Sequence, residues 1–391
     1  MKLKIGVLFG GRTVEHEVGI ISAVHAMEFL DLEKYDLIPI YMDKENTWYT
    51  SDKLKNIDSF KKLNNVKDIA DQVTLVKKNG EFVLKQVNSL PFKKNIPVDV
   101  IIPIVHGKGV EDGALAGMLN MIGIPFASPD ITGAAIGQDK VLQKMVLEAS
   151  GILVPKYIWF YDTDFINNEQ KVIEDIEKIP YPVIIKPANL GSSIGIKIAK
   201  NKEELIIAVS EAIQYDSKIV VEQVIENMRE VDCAVVGNRE HQETSDVGEV
   251  LNDQEFFTFE EKYMNSAKKT GGSKTGSKMS SGFQFPANLP KKQSSEIQEI
   301  SKKAFKLLNL KGVTRFDYLI DTKTNKIYLN EPNTIPGSLA FFFFTNAGKS
   351  YTKLLDQLIE LAIEDYKMDS RKTFHFESNI LSTYNGNKLK K

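Results

Sequence analysis

Residues Lys4–Val18 read KIGVLFGGRTVEHEV, a short apolar run that stops at two glycines and continues into a polar segment. The run from Ile5 to Phe9 has the length and composition of a buried strand, which Gly10-Gly11 would end. Apolar residues then recur with helical spacing from Glu15 to Leu30. A strand, a glycine turn and a helix are the opening unit of an α/β fold.

Two further apolar runs, Tyr35–Tyr41 and Val98–Val105, also have the composition of buried strands. The second would deliver His106 and Gly107 to the carboxyl end of a parallel sheet, where open α/β sheets bind their ligands. The glycines near the start of the chain lack the G-x-G-x-x-G spacing of a dinucleotide fingerprint. A dehydrogenase of the Rossmann type is therefore not expected.

The composition is that of an ordinary globular protein. Hydrophobic residues make up 42% and charged residues 26% of the 391 positions, and the net charge is -2. This length predicts two or three domains, and the balanced charge gives no reason to expect nucleic acid or a membrane as partner. Cys233 is the single cysteine and cannot form an internal disulfide. Since no apolar segment approaches the roughly 18 residues that span a bilayer, we expect a cytoplasmic protein.

Changes in composition predict four segments. They are an N-terminal α/β domain over 1–128, a small α/β subdomain over 129–212, a third region over 213–367, and a polar tail over 368–391 that is partly disordered. The third region contains residues 268–282, KKTGGSKTGSKMSSG. That stretch is basic and rich in glycine and serine, as flexible segments are.

Within the second segment, we expect strands at Tyr157–Phe160, Val183–Lys186 and Ile194–Ala199, with a helix at about 168–178. In the third region, Ile219–Gln223, Glu230–Val236 and Gly312–Ile320 are predicted strands. A final helix is expected at about 349–365.

A loop rich in glycine and serine, Leu190–Gly195, follows the predicted strand that ends at Lys186. Its small residues would let backbone N–H groups approach a phosphate, although a plain hairpin would have the same sequence. Lys186 is costly to bury unless an anion pairs with it; the alternative is a side chain that extends to solvent. Lys140 lies at a helix start, where the dipole favours anions, or it is an ordinary surface residue.

Two segments of the third region carry carboxylates. In Arg315-Phe316-Asp317, the strand period of two places Arg315 and Asp317 on one face. If the next strand pairs with this one, Glu331 and Asn333 join Asp317, and these oxygen ligands suit Mg²⁺ shared with nucleotide phosphates. The alternative is that the carboxylates form ion pairs with Arg315 or nearby lysines.

Near the first helix, Glu15 would hold the ammonium group of a ligand, or it complements the helix dipole in the first turn. The loop His106–Gly113, HGKGVEDG, is either a glycine-rich connection or a substrate loop.

In combination, these motifs resemble D-alanine–D-alanine ligases of the ATP-grasp superfamily. The matching stretches occur in the family's order over about residues 1 to 365 and read GGRTVEHEV, HGKGVEDGALAGML, QDK, PVIIKPANLGSSIGI, VVEQVIENMREVDCAV, FTFEEKY, RFDYLI and NEPNTIPG. The resemblance implies an α/β fold in which an N-terminal parallel-sheet domain precedes a two-subdomain ATP-grasp fold. It also implies that ATP binds between those two subdomains.

The resemblance implies a role for each matching residue in ATP and metal binding. Lys140 and Lys186 would contact ATP phosphates, and the loop with Ser192 and Ser193 would close over them. The adenine-binding hinge would be Glu222, Gln223, Val224 and Ile225, the ribose ligand Glu230, the adenine- and phosphate-side residues Phe257 and Lys262, and the metal ligands Asp317, Glu331 and Asn333.

Other matches imply how the substrates are held. Glu15, Ser192 and Tyr263 match a trio that links the amine of the first substrate to a mobile loop. Arg315 and the N–H of Gly337 match the pair that stabilises the tetrahedral oxyanion, and His106 would lie beside the first substrate's carboxylate.

The implied reaction is ATP-dependent. Phosphoryl transfer to the carboxylate of a first D-amino acid gives an acyl phosphate, which the amine of the second substrate attacks. The implied metal is Mg²⁺, with two ions expected and Mn²⁺ as an alternative, and the product would serve peptidoglycan synthesis. Family members usually form dimers through the N-terminal domain, so the expectation of a homodimer rests on the resemblance alone.

One departure from the family leaves the second substrate open. Where the family commonly has a serine that holds the second carboxylate, this chain reads Ser338-Leu339-Ala340 and then four phenylalanines, Phe341–Phe344. Ser338 either replaces that serine or does not, and the phenylalanines either narrow the pocket or repack a helix face. The alternatives to a D-alanyl-D-alanine ligase are a ligase with another acceptor and a regulatory protein that binds ATP without turnover.

Overall fold

The structure is a computed structural model that describes residues 2–87, 95–251, 282–373, 378–379 and 382. Its first sheet consists of β1 Leu3–Gly10, β2 Tyr35–Met42, β3 Trp48–Thr50, β4 Asp71–Lys78, β5 Glu81–Gln86, β6 Ile96–Pro97 and β7 Val100–Ile104. The strand order is β6-β5-β4-β3-β2-β1-β7. β1 pairs in parallel with β2 and β7, and the other pairs are antiparallel. The expected parallel sheet is thus the β2-β1-β7 core, extended by an antiparallel meander.

The opening motif folds as the sequence predicts. β1 ends at Gly10, where Gly10 and Gly11 have φ of 90° and 99°, values that favour glycine. The following helix α1 spans His16–Phe29 and packs on β1 and β7. The helices that follow before the second sheet are α2 Val66–Ile69, α3 Ala114–Ile122, α4 Ile131–Gln138 and α5 Lys140–Ala149.

The second sheet is small and antiparallel. It consists of β8 Tyr157–Tyr161, β9 Val183–Pro187, β10 Lys197–Ala199 and β11 Lys218–Gln223, in the order β10-β9-β11-β8. Its helices are α6 Asp162–Asn167, α7 Glu169–Ile176 and α8 Lys202–Ala212.

The third sheet pairs the strands that carry the predicted acidic residues. It consists of β12 Met228–Gly237, β13 Gln242–Val250, β14 Phe283–Gln284, β15 Gly312–Asp321 and β16 Ile327–Asn333, in the antiparallel order β14-β13-β12-β15-β16. The remaining helices are α9 Lys291–Leu307, α10 Phe341–Thr345 and α11 Tyr351–Asp369. α9 covers the core of the third sheet, whereas α10 and α11 join the core of the first sheet.

Two predictions of secondary structure need correction, and a third is incomplete. The strand expected over Ile194–Ala199 begins only at Lys197, because the chain turns before it and Gly195 has a φ of 72°. The helix expected at about 168–178 is confirmed as α7, but the short helix α6 that precedes it was not predicted. The polar tail begins later than expected, since α11 continues to Asp369.

Sequence reasoning did not predict α4, β13 or α9. In α4, Gly133 and Gly137 weaken the helical signal, yet a Cβ at either position would lie 2.3 Å from another residue. These glycines therefore serve close packing rather than a turn. Within the described part of the chain, no helix combines the length and apolar character needed to cross a bilayer.

Candidate active site

Lys144 and Lys186 lie on either side of the carboxylate of Glu222. Nζ of Lys186 donates to Oε2 of Glu222 over 3.0 Å, and Nζ of Lys144 forms an ion pair with Oε1 at 3.2 Å. Both lysines also reach Asn330 on β16: Lys144 donates to its carbonyl oxygen over 3.1 Å and Lys186 to its side-chain oxygen over 3.3 Å. These buried charges therefore connect the second sheet to the third.

Glu222 and Lys186 stay charged despite their burial. Desolvation lowers the pKa of Lys144, although the charge of Glu222 opposes this shift. Burial acts to raise the pKa of Glu222, but the two lysines outweigh it and hold that pKa below its usual value. Burial likewise acts to lower the pKa of Lys186, but Glu222 and Glu331 outweigh it and the pKa is raised. Glu222 is consequently ionised and Lys186 protonated near neutral pH.

Lys140, at the start of α5, holds the glycine- and serine-rich loop. Its backbone N–H donates to the carbonyl oxygen of Ala188 over 2.9 Å, and its Nζ donates to that of Leu190 over 2.8 Å. The same Nζ lies 3.3 Å from Oε2 of Glu331. The third lysine of the cleft is thus also near a carboxylate, and an anion bound at the loop would compete with Glu331 for it.

Three segments of the chain meet at the buried carboxylate of Glu15. The hydroxyl of Ser192 donates to its Oε1. Gly107 and Gly191 lie so close that a Cβ on either would be 2.6 Å and 2.8 Å, respectively, from Oε2. Glu15 makes no side-chain capping hydrogen bond to α1, so it faces the two loops rather than the helix end.

The loop at Ser192 has a strained backbone. Ser192 and Ser193 have φ of 53° and 59°, in the left-handed region that is costly for residues other than glycine. Such strain persists where surrounding contacts fix it, and it is common at ligand-binding loops.

A row of carboxylates crosses three neighbouring strands. Asp232 on β12 lies opposite Asp317 on β15, which lies opposite Glu331 on β16. The guanidinium of Arg315 donates to both oxygens of Asp317 over 2.7 and 2.8 Å, and its Nε lies 3.1 Å from Asp232. Asn333 donates from its Nδ2 to Oδ2 of Asp317 over 2.9 Å. The two alternatives for these carboxylates are thus compatible: they lie together, and Arg315 pairs with them.

The donor set fits a magnesium ion. Like charges placed directly opposite on neighbouring strands destabilise a sheet unless cations compensate them, and Arg315 and Lys140 supply positive charge beside this row. One oxygen each from Glu230, Asp232 and Asp317 lie within 4.8 Å of one another, and Glu331 adjoins Asp317. Carboxylate and amide oxygens are the hard ligands that Mg²⁺ prefers.

His106 and Ser338 are linked through Ser22 on α1. The Ser22 hydroxyl lies 3.4 Å from Nε2 of His106 and accepts from the backbone N–H of Ser338 over 3.1 Å. The hydroxyl of Ser338 is itself buried without a hydrogen-bond partner among the described residues. Around Gly337, no described atom lies within 4 Å of the position that a Cβ would take. Gly337 therefore borders open space on the side where a Cβ would lie.

The four phenylalanines after Ala340 pack into the protein. Phe341, Phe343 and Phe344 are buried, and Phe342 is half-buried. Phe341 stacks on Tyr351 with ring centroids 4.5 Å apart, whereas Phe343 meets the edge of Phe285 at 4.9 Å. These contacts favour the repacked helix face over the narrowed pocket.

Sequence reasoning missed three residues of this region. Lys144 follows Lys140 by one helical turn, and Asp232 follows Glu230 by one strand repeat, so periodicity would have indicated both. Glu111 was seen only as part of a loop. Its carboxylate is buried, which raises its pKa, and it accepts from the N–H of Gly107 over 2.9 Å and from the Thr334 hydroxyl over 2.7 Å. It thereby fixes the His106 loop against the segment that leads to Gly337.

The remaining expected residues divide into two groups. The predicted adenine hinge lies at the end of β11, where Gln223 donates its N–H to Lys156 over 2.8 Å and Val224 to Pro182 over 3.2 Å; Ile225 next to them is largely buried. Phe257, Lys262, Tyr263 and the basic stretch up to residue 281 lie outside the described residues.

Comparison with known proteins identifies the family. The family profile described as D-ala D-ala ligase N-terminus matches residues 4–129, and the one described as D-ala D-ala ligase C-terminus matches residues 146–360. A D-alanine–D-alanine ligase of Caldicellulosiruptor bescii is 37% identical over 93% of this chain and 96% of its own length.

Two solved structures extend the comparison. The D-alanine-D-alanine ligase from Coxiella burnetii has a TM-score of 0.79 and 28% identity, and covers 95% of this chain and 96% of its own. The VanG D-Ala:D-Ser ligase from Enterococcus faecalis has a TM-score of 0.75 and 29% identity, and covers 93% and 100%. The chain therefore belongs to the D-alanine–D-alanine ligase family of ATP-dependent ligases and has the ATP-grasp fold, which confirms the fold class and enzyme class predicted from the sequence.

Proposed function

We propose that this protein joins two D-alanines at the expense of ATP, through an acyl phosphate, in the supply of peptidoglycan precursors. The observation that carries the proposal is the meeting of three groups of side chains: the lysines of the cleft, the carboxylate row with Arg315, and the Glu15–Ser192 contact. Together they would serve a triphosphate, its metal and an amino acid in one cleft. A protein that only bound ATP would need neither Arg315 nor Glu15 at these positions.

In the first step, a carboxylate oxygen of the first D-alanine attacks the γ-phosphorus of ATP, and ADP leaves. Glu15 holds the ammonium group of that substrate and His106 lies beside its carboxylate. Lys140 and Lys186 bind phosphate oxygens, and Glu222 and Glu331 keep Lys186 protonated. Gln223, Val224 and Ile225 hold the adenine through backbone groups, and Glu230 the ribose.

Asp317, Glu331 and Asn333 would hold Mg²⁺, with two ions proposed and Mn²⁺ as an alternative. When bound, the metal neutralises phosphate charge during the transfer. Arg315 lies next to the carboxylate row, and its guanidinium would border the reacting carbonyl in the second step.

In the second step, the amine of the second D-alanine attacks the carbonyl carbon of the acyl phosphate. Arg315 and the N–H of Gly337 stabilise the oxyanion that forms, which is where a preorganised donor contributes most. The carbon–oxygen bond to phosphate then breaks, and the products are the dipeptide, ADP, inorganic phosphate and a proton. Phe257, Lys262 and Tyr263 belong to this proposal through the resemblance alone.

The proposal includes the division of the chain at residues 128, 212 and 367. The boundary at 212 needs correction, because β11 at Lys218–Gln223 belongs to the second sheet and the third sheet begins at Met228. The proposal also includes a cytoplasmic location, where ATP is available, and a homodimer by analogy with the family.

A second candidate is a ligase for another acceptor, such as D-serine or D-lactate. The departure at Ser338–Phe344 favours it, because the stretch that commonly carries the family's serine for the second carboxylate reads differently in this chain. The likeness to the D-Ala:D-Ser ligase from Enterococcus faecalis agrees with it.

The test is release of ADP by the purified protein with Mg-ATP and D-alanine, followed by mass analysis of the product. D-Serine, D-lactate and L-alanine serve as competing acceptors. Accumulation of D-alanyl-D-alanine supports the proposal. A mixed product identifies the second candidate, and ATP binding without reaction of any acceptor refutes both.

A further inference from the structure

The N-terminal domain contacts the glycine- and serine-rich loop directly at Ser192, and it also contacts a residue that holds the base of this loop. The first contact is the bond from Ser192 to Glu15. The second is an ion pair in which Nζ of Lys108 lies 3.1 Å from Oδ1 of Asp216. Lys108 belongs to the loop that begins at His106, and Asp216 lies between α8 and β11, which are both elements of the second sheet and its helices.

Asp216 connects Lys108 to Asn189, the residue that precedes the glycine- and serine-rich loop. Its side chain is 0% exposed, whereas that of Lys108 is 48% exposed. Besides Lys108, its carboxylate binds Asn189, accepting from the backbone N–H over 2.7 Å and from Nδ2 over 2.9 Å. Asn189 directly precedes the loop that carries Ser192 and Ser193. A buried carboxylate thus holds the base of the loop with one oxygen and a lysine of the other domain with the second.

The two charged side chains of this contact differ in their exposure to water. An exposed ion pair contributes little to stability, because water screens it. A buried carboxylate, in contrast, is costly unless it is paired and hydrogen-bonded. Removing Lys108 would therefore leave Asp216 with only neutral donors from Asn189, and the loop would lose its link to the His106 segment.

We propose that the ion pair of Lys108 and Asp216, called the latch below, couples the His106–Gly113 loop to the Leu190–Gly195 loop. The Leu190–Gly195 loop is then held in place only while the His106–Gly113 loop is in position. This inference rests on the proposed function. Lys108 is a positioning residue in this arrangement, since it acts through Asp216 and Asn189 and not on the substrates themselves.

The latch would matter most while the acyl phosphate exists. A closed loop excludes water and protects a reactive intermediate from hydrolysis. With the latch broken, water would attack the acyl phosphate more often, giving D-alanine and phosphate in place of the dipeptide. More ADP would then form for each dipeptide, which a purely structural role of Lys108 would not cause.

The test compares Lys108→Met with Lys197→Met as a matched control. Lys197 is similarly exposed, at 47%, and pairs with Glu211 within the second segment, so its loss removes an ion pair that does not cross between domains. Amide hydrogen exchange of peptides that cover 188–196 is measured with Mg²⁺, D-alanine and a non-hydrolysable ATP analogue. We expect exchange about five-fold faster in Lys108→Met than in wild type, as loss of one partly buried pair implies, and unchanged exchange in Lys197→Met.

A second readout is the ratio of ADP to dipeptide. We expect this ratio to rise in Lys108→Met, to stay at the wild-type value in Lys197→Met, and to recover in Lys108→Arg, which retains a cation. Equal exchange and an equal ratio in Lys108→Met and wild type would overturn the latch. If the wild type makes no dipeptide, the proposed function fails, while the exchange measurement still decides on the latch.

Discussion

The nucleotide side of the candidate site and the side that follows Gly337 are built in opposite ways. On the nucleotide side, each cation faces a carboxylate: Lys140 faces Glu331, Lys186 faces Glu222, and Arg315 faces Asp317. After Gly337, aromatic rings and a left-handed backbone fill the space. Ion pairs can exchange partners when a phosphate or metal arrives, whereas packed rings cannot. Substitutions of charged groups that would contact the ligands should therefore change kinetics on the first side, and substitutions of the packed rings should change stability on the second.

Arg315→Ala should give the largest change. Loss of a preorganised oxyanion donor commonly lowers kcat by about 100- to 1,000-fold, and we expect a decrease in this range. The measurement is steady-state turnover with saturating ATP and D-alanine, on protein shown to be folded by circular dichroism.

Arg229→Ala is the matched control for that substitution. Arg229 lies on β12 of the same sheet and binds Glu249 with two hydrogen bonds of 2.7 Å, but it does not touch the carboxylate row. Its replacement should leave turnover near the wild-type value. Turnover of Arg315→Ala equal to that of the control would contradict the oxyanion role.

Phe343→Ala should cost stability and spare nucleotide binding. Phe343 is fully buried at 0% exposure, and a buried Phe-to-Ala change costs about 3 kcal/mol or somewhat more. Urea denaturation measures the loss, and a titration of ATP measures KM, which we expect to be unchanged. The half-buried Phe342 offers the comparison, because Phe342→Ala should lower the free energy of unfolding by less than Phe343→Ala. A raised KM for ATP at either position would remove the distinction between the two sides.

Lys144→Met tests the buried charges. Breaking a buried pair costs about 3 to 5 kcal/mol when a charge is left alone, and we expect about 2 kcal/mol because Lys186 still faces Glu222. Lys186 would then be drawn more closely to Glu222, and KM for ATP should rise. Adding Glu222→Gln to Lys144→Met should lower stability further, since it removes the carboxylate that pairs with the buried Lys186.

The pH dependence of stability follows from the same cluster. The lysines lower the pKa of Glu222 in the folded protein, so the stability that this carboxylate contributes is present above its unfolded pKa and is lost as pH falls through the lowered value. Without Lys144, the pKa of Glu222 is lowered less, so the loss should be smaller and should be complete at a higher pH. Denaturation midpoints measured from pH 7 downwards for wild type and Lys144→Met would show this shift, and parallel curves would contradict it.

What the sequence could predict depends on local periodicity. The β1–α1 unit and the neighbourhood of Arg315, Asp317 and Glu331 follow from a strand period of two and from glycine turns, which are properties of adjacent residues. Lys108 and Asp216 could not be predicted as a pair, because their contact depends on how two segments far apart in sequence are packed. The partner of Lys186 was likewise expected to be a bound anion, and the structure shows Glu222.

The turn after Gly337 shows a second kind of limit. Ser338, Leu339 and Ala340 have φ of 47°, 54° and 49°, which no residue preference would suggest, since this region favours glycine. The buried contacts of α10 hold the turn in place, so the tertiary structure overrides the local preference.

Ala340→Gly should give the smallest change in stability, and its effect should be confined to the turn after Gly337. Glycine accepts a positive φ at no steric cost, whereas the left-handed conformation costs other residues about 1 to 2 kcal/mol. The gain is offset by lost methyl packing and by the greater freedom of an unfolded glycine, so we expect a net change in stability within about 1 kcal/mol.

Activity should nevertheless fall in Ala340→Gly, because a more mobile turn holds the N–H of Gly337 less firmly, and stability and activity often trade against each other in this way. Ala208→Gly in α8 is the control: it has a helical backbone, so glycine should lower stability there by about 1 kcal/mol and leave turnover unchanged. A drop in kcat with retained stability at position 340 would show that the strained turn serves catalysis. Full activity would mean that aromatic packing alone positions this side of the site.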